Sequence, residues 1–452
     1  MDVSGRRVLV LGAAKSGVAA SKFLKEHGAE VILSDIKTFS EMQGIEEEVK
    51  PLGINTIWGK HPDIKSLSPQ LIIVSPGIPL SVPPLVEAAE LNIPIISELE
   101  LAFQFARTPF IAVTGTNGKT TTTALTGQLF LDANRRVFIG GNIGLPLISQ
   151  VEKYGPQDLI VAEVSSFQLA TTKTFKPRVA IIINITPDHL DWHGSMDAYR
   201  EAKAKIFANQ SEEDILILNY DDPLVKDLAY RAKSQVIFFS CRNKLEEGVY
   251  LLNGQVVIDI GEGPVPIVER EDIFLKGNHN LENVMAAVAA GYILGLEPEQ
   301  IKATLISFKG VAHRLEFVAE IEGVKFINDS KGTNPDASIK AIEAYSEPII
   351  LIAGGKNKGS DFSEFALKIK EKVKALVLVG QAAPEIKKAV TEIGYDSYHE
   401  VNTFQEAVYK ANELAEKGDI VLLSPACASW DMFKSFEERG DVFKELVHSL
   451  RR

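Results

Sequence analysis

The segment Val113-Thr-Gly-Thr-Asn-Gly-Lys-Thr-Thr-Thr-Thr123 sets a lysine and a row of hydroxyls directly after a glycine-rich stretch. Phosphate chemistry needs such a set. Backbone N–H groups at a helix start cradle the anion, an ammonium neutralises it, and a hydroxyl reaches a hard cation. Phe110–Val113 reads as a strand, Thr114–Gly118 as the loop and Lys119 onward as a helix. Gly115, Thr116, Asn117, Gly118 and Thr121 would then surround a nucleotide's phosphates. Lys119 would reach the β- and γ-phosphates, and Thr120 would hold Mg²⁺. The usual pattern G-x-x-x-x-G-K-[ST] wants a glycine where Val113 stands, so a threonine-capped turn without ligand is the competing reading.

Three further constellations could do chemistry. Glu163 ends the apolar run Leu159–Val164. A carboxylate there is costly unless it is salt-bridged or bound to a cation, and Mg²⁺ prefers oxygen ligands. Ile181-Ile-Ile-Asn-Ile-Thr-Pro-Asp-His-Leu-Asp-Trp-His193 ends another apolar run in a polar cluster. Its His189, His193, Asp188 and Asp191 lack the helical spacing or cysteines of a zinc site. His189 suits a second metal at a phosphoryl site, or is a satisfied structural histidine. Gly12-Ala-Ala-Lys-Ser-Gly17, with Asp35 ending the next strand, approximates G-x-G-x-x-G but has Ala14 as its middle residue. A methyl group there argues against a dinucleotide and leaves a nucleotide sugar or a structural turn.

These residues must be positioned by α/β domains. Apolar runs at Val8–Leu11, Val31–Leu33, Leu71–Val74, Ile93–Ile96, Phe110–Val113, Leu159–Val164, Val179–Ile185 and Ile215–Leu218 alternate with helix-length segments. That pattern predicts buried parallel strands. Tyr250–Val257 around Asn253-Gly254, and Phe317–Ile327 around Glu322-Gly323, read as hairpins. A second α/β series follows at Ile349–Ile352, Ala375–Val379 and Ile420–Leu423, with a helix over Phe404–Lys417. Boundaries near residues 97 and 310 give three domains, 1–97, 98–310 and 311–452, consistent with 452 residues at about 100 to 200 per domain.

With 48 basic against 60 acidic residues, the net charge of −12 disfavours nucleic acid and anionic membrane as partners. Two cysteines, Cys241 and Cys427, are too few for a disulfide framework or a thiolate metal site. No apolar run approaches the roughly 18 residues of a membrane span. The expectation is a cytoplasmic monomer without a targeting segment or anchor.

In chain order, Thr114-Gly-Thr-Asn-Gly-Lys-Thr-Thr121, Glu163-Val-Ser-Ser-Phe-Gln-Leu169, Asp188-His-Leu-Asp191, Tyr199-Arg-Glu-Ala-Lys203, His279-Asn-Leu-Glu-Asn283, His313-Arg314 and Asn328-Asp-Ser-Lys331 resemble the Mur ligase superfamily of ATP-dependent amide ligases. The phosphate loop of that family lacks the first glycine, so Val113 is no defect. Ser424-Pro-Ala-Cys-Ala-Ser-Trp-Asp-Met-Phe433 and Phe436–Phe443 are similar to its D-glutamate-adding members. The Asp-Asn-Pro-Arg motif of the ligases adding the third residue is absent. Folylpolyglutamate synthases share the core without the expected first domain.

The resemblance implies a Rossmann-like N-terminal domain for a UDP-sugar, a central P-loop ATPase-like domain with a parallel sheet plus a small hairpin-containing sheet, and a Rossmann-like C-terminal domain for the amino acid. It implies ATP and Mg²⁺ as cofactors, with UDP-N-acetylmuramoyl-L-alanine and D-glutamate as substrates. The carboxylate of the first is phosphorylated, the amine of the second attacks, and separate domains close to align them. Thr120 and Glu163 would hold one Mg²⁺, and His189 and a carbamylated Lys203 the second, although composition does not separate Lys203 from Lys205. ATP would also meet Asn280, Asn283, Arg314 and Asp329, the two asparagines having a helix cap as the alternative. The nucleotide sugar would meet Lys15, Ser16, Asp35, Lys37, Ser75, Gly77, Asn142, Ser165 and His189. D-Glutamate would meet Thr333, Lys358, Ser429 and Phe436, with Lys356 a competitor and plain surface lysines the alternative. A P-loop kinase or switch explains only Lys119 and Thr120, and an oxidoreductase only Gly12–Asp35.

Overall fold

Short apolar runs buried on both faces become the inner strands of parallel sheets, because only helices on each side can cover them. The structure, a computed structural model, describes residues 1–275, 277–357 and 359–450, with Asp191 described by its backbone alone. Among the described residues the strands form three sheets of five, nine and six strands. The chain divides into two compact units, the first comprising Met1–Phe274 and Asn278–Phe308 and the second Leu275–Gly277 together with the chain from Lys309 onward.

The first unit opens with β1 (Arg7–Leu11), β2 (Glu30–Asp35), β3 (Asn55–Trp58), β4 (Leu71–Val74) and β5 (Ile95–Ser97) in the order β3-β2-β1-β4-β5. All pair in parallel, with Val8 opposite both Val31 and Leu71. The large sheet follows: β6 (Phe110–Thr114), β7 (Val137–Gly141), β8 (Leu159–Glu163), β9 (Val179–Ile182), β10 (Ile215–Asn219), β11 (Gln235–Ser240), β12 (Gly248–Leu252), β13 (Gln255–Asp259) and β14 (Val265–Glu269). β6 lies between β8 and β9, in register Val113↔Glu163 and Thr114↔Ile182. Parallel pairing therefore delivers the phosphate loop, Glu163 and the Asn184–His193 segment to one edge of the sheet, where α/β folds carry their ligands. One continuous apolar cluster runs from Val8 and Val31 through Leu99 and Leu147 to Phe110 and Ile182.

The Asn253-Gly254 turn has both residues at positive φ (53° and 86°), as a two-residue hairpin requires. That hairpin does not form a small sheet of its own. β11 and β12 pair in parallel over Phe239↔Val249 and Ser240↔Tyr250, so β12–β14 extend the large sheet. β9 stops at Ile182, short of the expected Ile185, because Asn184 leaves the ladder to bond the phosphate loop. The helix Asn278–Ile293 begins before Leu281, so Asn280 and Asn283 lie inside it and are not its caps.

The second unit holds β15 (Glu316–Ile321), β16 (Val324–Asn328), β17 (Ile349–Ala353), β18 (Val373–Leu378), β19 (Tyr398–Glu400) and β20 (Ile420–Leu423) in the order β15-β16-β20-β17-β18-β19. β15 and β16 form the hairpin turning at Glu322-Gly323 (φ 52° and 81°), and the remaining pairs are parallel. No helix among the described residues is long and apolar enough to cross a membrane.

Glu98 opens the helix Glu98–Phe105 that follows β5. Its Oε1 accepts a hydrogen bond from the Ile148 N–H at 2.7 Å, while Oε2 is buried without a partner. Burial pushes its pKa up to about 7, against 4.5 for a free carboxyl. The folded chain therefore keeps a proton there that an unfolded chain releases. Stability falls as pH rises from 4.5 through about 7, by up to about 3 kcal/mol for this group. Glu98→Gln, which stays neutral, is expected to be near-neutral at low pH and stabilising above pH ~8 by a similar order. Urea unfolding at the two pH values measures this, and an unchanged slope of stability against pH in the variant would refute it.

Candidate active site

Two positive-φ glycines shape the phosphate loop, Gly115 and Gly118 (158° and 81°), and the helix Lys119–Asp132 starts directly after them. The loop is held by residues remote in sequence. Asn184 Oδ1 accepts from the N–H groups of Thr116 (3.1 Å) and Asn117 (2.8 Å), and Asn184 Nδ2 donates to the Asn117 carbonyl at 3.3 Å. Thr116 Oγ1 accepts from Thr186 N at 3.0 Å and lies 3.2 Å from the Tyr199 hydroxyl. Asn283 closes the other side: its Oδ1 accepts from Thr122 Oγ1 at 3.1 Å, and a Cβ on Gly118 would stand 2.1 Å from that oxygen. Asn283 thus braces the loop, while Asn280 Oδ1 accepts from Asn283 Nδ2 at 3.3 Å. Thr120 and Thr121 are buried in the first turn.

Lys119 Nζ donates to the carbonyls of Gly115 (2.9 Å) and Thr116 (2.7 Å). Lys203 Nζ reaches the same Gly115 oxygen at 2.7 Å from the helix Met196–Ala204 and lies 4.4 Å from the centre of the Tyr199 ring. Lys203 is 1% exposed. Burial and the positive charge of Lys119 hold its pKa well below the usual lysine range, with Asp188 opposing. Lys205 instead donates to the Ala170 carbonyl, so of the two lysines only Lys203 reaches the phosphate loop.

Glu163, at the end of β8, accepts from Asn142 Nδ2 at 2.8 Å through Oε1, while its buried Oε2 has no partner. An unpartnered buried carboxylate oxygen beside a phosphate loop suits a hard cation. Asn142 is accordingly tied to Glu163. His189 adopts positive φ (52°), contacts the Phe167 ring at 4.8 Å, and its exposed imidazole is 3.5 Å from Asp188 Oδ2. His193 turns to Ser166 Oγ at 3.0 Å. Ser165 caps the helix Ser166–Ala170.

In the first sheet, the carboxylate of Asp35 accepts from the N–H groups of Ala13 (2.8 Å) and Lys37 (3.0 Å), clasping the first loop. Ser75 Oγ donates to the Gly12 carbonyl at 2.9 Å. A Cβ on Gly17 would stand 1.8 Å from the Gly12 carbonyl oxygen, so Gly17 serves the close approach of helix to loop. Lys15 and Lys37 are exposed, Ser16 is half-buried, and Gly77 takes φ 90°.

In the second unit, Asp329 Oδ2 accepts from Ser424 Oγ at 2.7 Å and Oδ1 from Leu315 N at 3.3 Å. Burial raises its pKa to about 6, against the pull of Ser424 and the Arg314 charge. Arg314 lies in a tight turn between His313 and Leu315, both at positive φ (64° and 44°). Ser429 is 1% exposed, and its hydroxyl has no partner among the described residues. Phe436 starts the helix Phe436–Ser449, and Thr333 is half-buried. Lys356 is stitched by its backbone to Ala428, and Lys358 lies outside the described residues.

Asn184 and Tyr199 had no assigned role in the sequence; the asparagine interrupting the apolar run Ile181–Ile185 was the available signal. Asn184→Ala leaves the Asn117 N–H without its acceptor, while the Thr116 N–H keeps the Asn184 main-chain carbonyl at 2.9 Å, and is expected to cost about 1–3 kcal/mol. Asn184→Asp, which keeps the acceptor, is expected to lose less. Urea unfolding of both variants checks this, and equal losses would argue against the acceptor role.

Three family models match along the chain: "Mur ligase MurD-like, N-terminal domain" over residues 6–97, "Mur ligase middle domain" over 113–291 and "Mur ligase, glutamate ligase domain" over 313–427. A UDP-N-acetylmuramoylalanine--D-glutamate ligase of Pelotomaculum thermopropionicum is 54% identical over 451 residues, covering 100% of this chain and 99% of the relative. The Clostridioides difficile enzyme of the same name is 46% identical over 454 residues, with 100% of both chains covered. Among solved structures, the UDP-N-acetylmuramate-alanine ligase of Thermotoga maritima shares the fold at TM-score 0.60 and 20% identity, covering 98% of this chain and 100% of that one. A pseudomurein peptide ligase of Methanothermus fervidus does so at 0.58 and 20%, covering 99% and 100%. Matched in order by all three models and by relatives aligned from end to end, the chain belongs to the Mur ligase family.

Proposed function

We propose that this Mur ligase uses ATP to join D-glutamate to UDP-N-acetylmuramoyl-L-alanine, releasing ADP and phosphate, in cytoplasmic synthesis of peptidoglycan precursors. End-to-end relatives bearing that activity in their names support the substrate pair. The observation that carries the chemistry is the meeting of Lys119 and Lys203 on the Gly115 carbonyl, beside a strand that ends in a half-satisfied Glu163. The proposed division of labour is nucleotide sugar on 1–97, ATP on 98–310 and amino acid on 311–452, in a protein acting as a monomer.

An oxygen of the alanyl carboxylate attacks the γ-phosphorus, the bond from that phosphorus to the bridging oxygen breaks, and ADP departs. The free amine of D-glutamate then attacks the acyl carbon. A C–N bond forms, phosphate leaves with the C–O electron pair, and the amine's surplus proton passes to solvent. Residues Gly115–Thr121 wrap the phosphates, and Lys119 exchanges its loop carbonyls for phosphate oxygens and neutralises them. Bound by Thr120 and Glu163, with a second ion on His189 and a Lys203 carbamate, Mg²⁺ would offset charge on the transferring phosphoryl group. A lysine amine with a depressed pKa is populated as the neutral nucleophile that CO₂ requires. The N–C bond forms as a proton is lost, giving an anionic oxygen ligand. Asn280 and Asn283 act on ATP through the loop. Lys15, Ser16, Lys37, Gly77 and Ser165 face the nucleotide sugar, their loops being fixed by Asp35, Ser75 and Asn142. Thr333, Lys358, Ser429 and Phe436 hold D-glutamate.

Phosphate release from ATP with UDP-N-acetylmuramoyl-L-alanine is expected to depend on D-glutamate. Folded protein with Mg²⁺ that forms no D-glutamate-dependent ADP would overturn the assignment. Lys203→Ala is expected to lower kcat by about 100-fold or more, with partial recovery on adding short carboxylic acids. Full activity without such rescue would remove the carbamate.

A further inference from the structure

Arg439, in the helix Phe436–Ser449, is among the largest fully buried side chains at 1% exposure. Its guanidinium donates from Nε to Ser330 Oγ (2.9 Å), from Nη1 to the Cys427 carbonyl (3.2 Å), and from Nη2 to the carbonyls of Ser330 (2.8 Å) and Cys427 (3.2 Å). Every acceptor is neutral. Among the described residues no carboxylate lies within ion-pair distance of it. A buried cation is expensive; burial pulls its pKa down to about 10, with the more distant carboxylates of Asp431 and Asp329 opposing, and it stays charged at neutral pH.

The anchored segments are those that carry the amino-acid contacts proposed above. Ser330 opens the turn leading to Thr333, and its hydroxyl also donates to the Phe436 carbonyl at 2.8 Å. Cys427 lies two residues before Ser429, whose hydroxyl is buried and unpartnered. Gly355 makes room for the arrangement: a Cβ there would stand 2.3 Å from the Ala428 carbonyl oxygen and 3.2 Å from Arg439 Nη1. One guanidinium thus ties three separated stretches of chain beside an idle hydroxyl.

We propose that Arg439 is a positioning residue for the amino-acid substrate, setting Thr333, Ser429 and Phe436 in register. The inference rests on the assignment of D-glutamate to the second unit. A planar fork that bonds two carbonyls and a hydroxyl is not replaced by an ammonium, so Arg439→Lys retains charge and loses register, whereas Arg439→Met loses both. Ser330→Ala is a milder probe, removing one acceptor of the fork.

The test measures KM for D-glutamate, ATP and the nucleotide sugar in wild type, Arg439→Lys, Arg439→Met and Ser330→Ala, with near-UV circular dichroism as the check of fold. Arg439→Lys and Ser330→Ala are expected to raise KM for D-glutamate by about tenfold while the other two KM values move less than about twofold. Arg439→Met, which removes the whole fork, is expected to raise the D-glutamate KM at least as far. If Arg439→Met does not fold, Arg439→Lys and Ser330→Ala decide. A purely structural role would lower folding or kcat without a selective change in the D-glutamate KM, and that result overturns the proposal. Wild-type protein with no D-glutamate-dependent turnover would refute the functional assignment instead, so the two failures are separable.

Discussion

Two ammonium groups from different helices meet on one carbonyl oxygen, that of Gly115, and the rest of the catalytic region is arranged around that crowding. Like charges so close raise each other's cost, and the more buried partner yields. Burial and the neighbouring Lys119 together bias Lys203 toward its neutral form. The crowding exists only because β6 and the helix Met196–Ala204 converge on the loop. Asn184, Tyr199 and Asn283 fix the loop from three sides, so the Gly115 oxygen has little freedom to turn away.

What could be read from the sequence was whatever is local in it. The glycine-lysine-threonine loop carries its geometry within a few residues, and the carboxylate of Glu163 announces itself by standing in an apolar run. The hairpins at Asn253-Gly254 and Glu322-Gly323 were legible because their turn chemistry is a dipeptide property. Edge strands such as β3, β7, β14 and β19 escaped because one flank faces solvent and their composition is mixed.

Relations that depend on sheet register or helix phase were hidden. Lys203 and Lys205 are two residues apart and differ only in which side of the helix end they occupy. Asn142 finds Glu163 because β7 pairs with β8, with Gly141 opposite Glu163, a fact no spacing encodes. Asp35 and Ser75 carried a ligand-binding expectation from the family resemblance, Asp35 also from ending the strand that follows the glycine loop. Their side chains are engaged with that loop's backbone, while Lys15 and Lys37 beside them are exposed.

The contact between Gly118 and Asn283 has an evolutionary consequence. Every amino-acid replacement of a glycine adds a side chain, and here the first added atom meets the Asn283 oxygen while the backbone holds a conformation that side chains rarely adopt. The position has no neighbouring sequence through which drift could pass. A change at Gly118 is accommodated only if Asn283 gives way, which frees Thr122 Oγ1. Two residues 165 positions apart in the chain are thus sterically one unit.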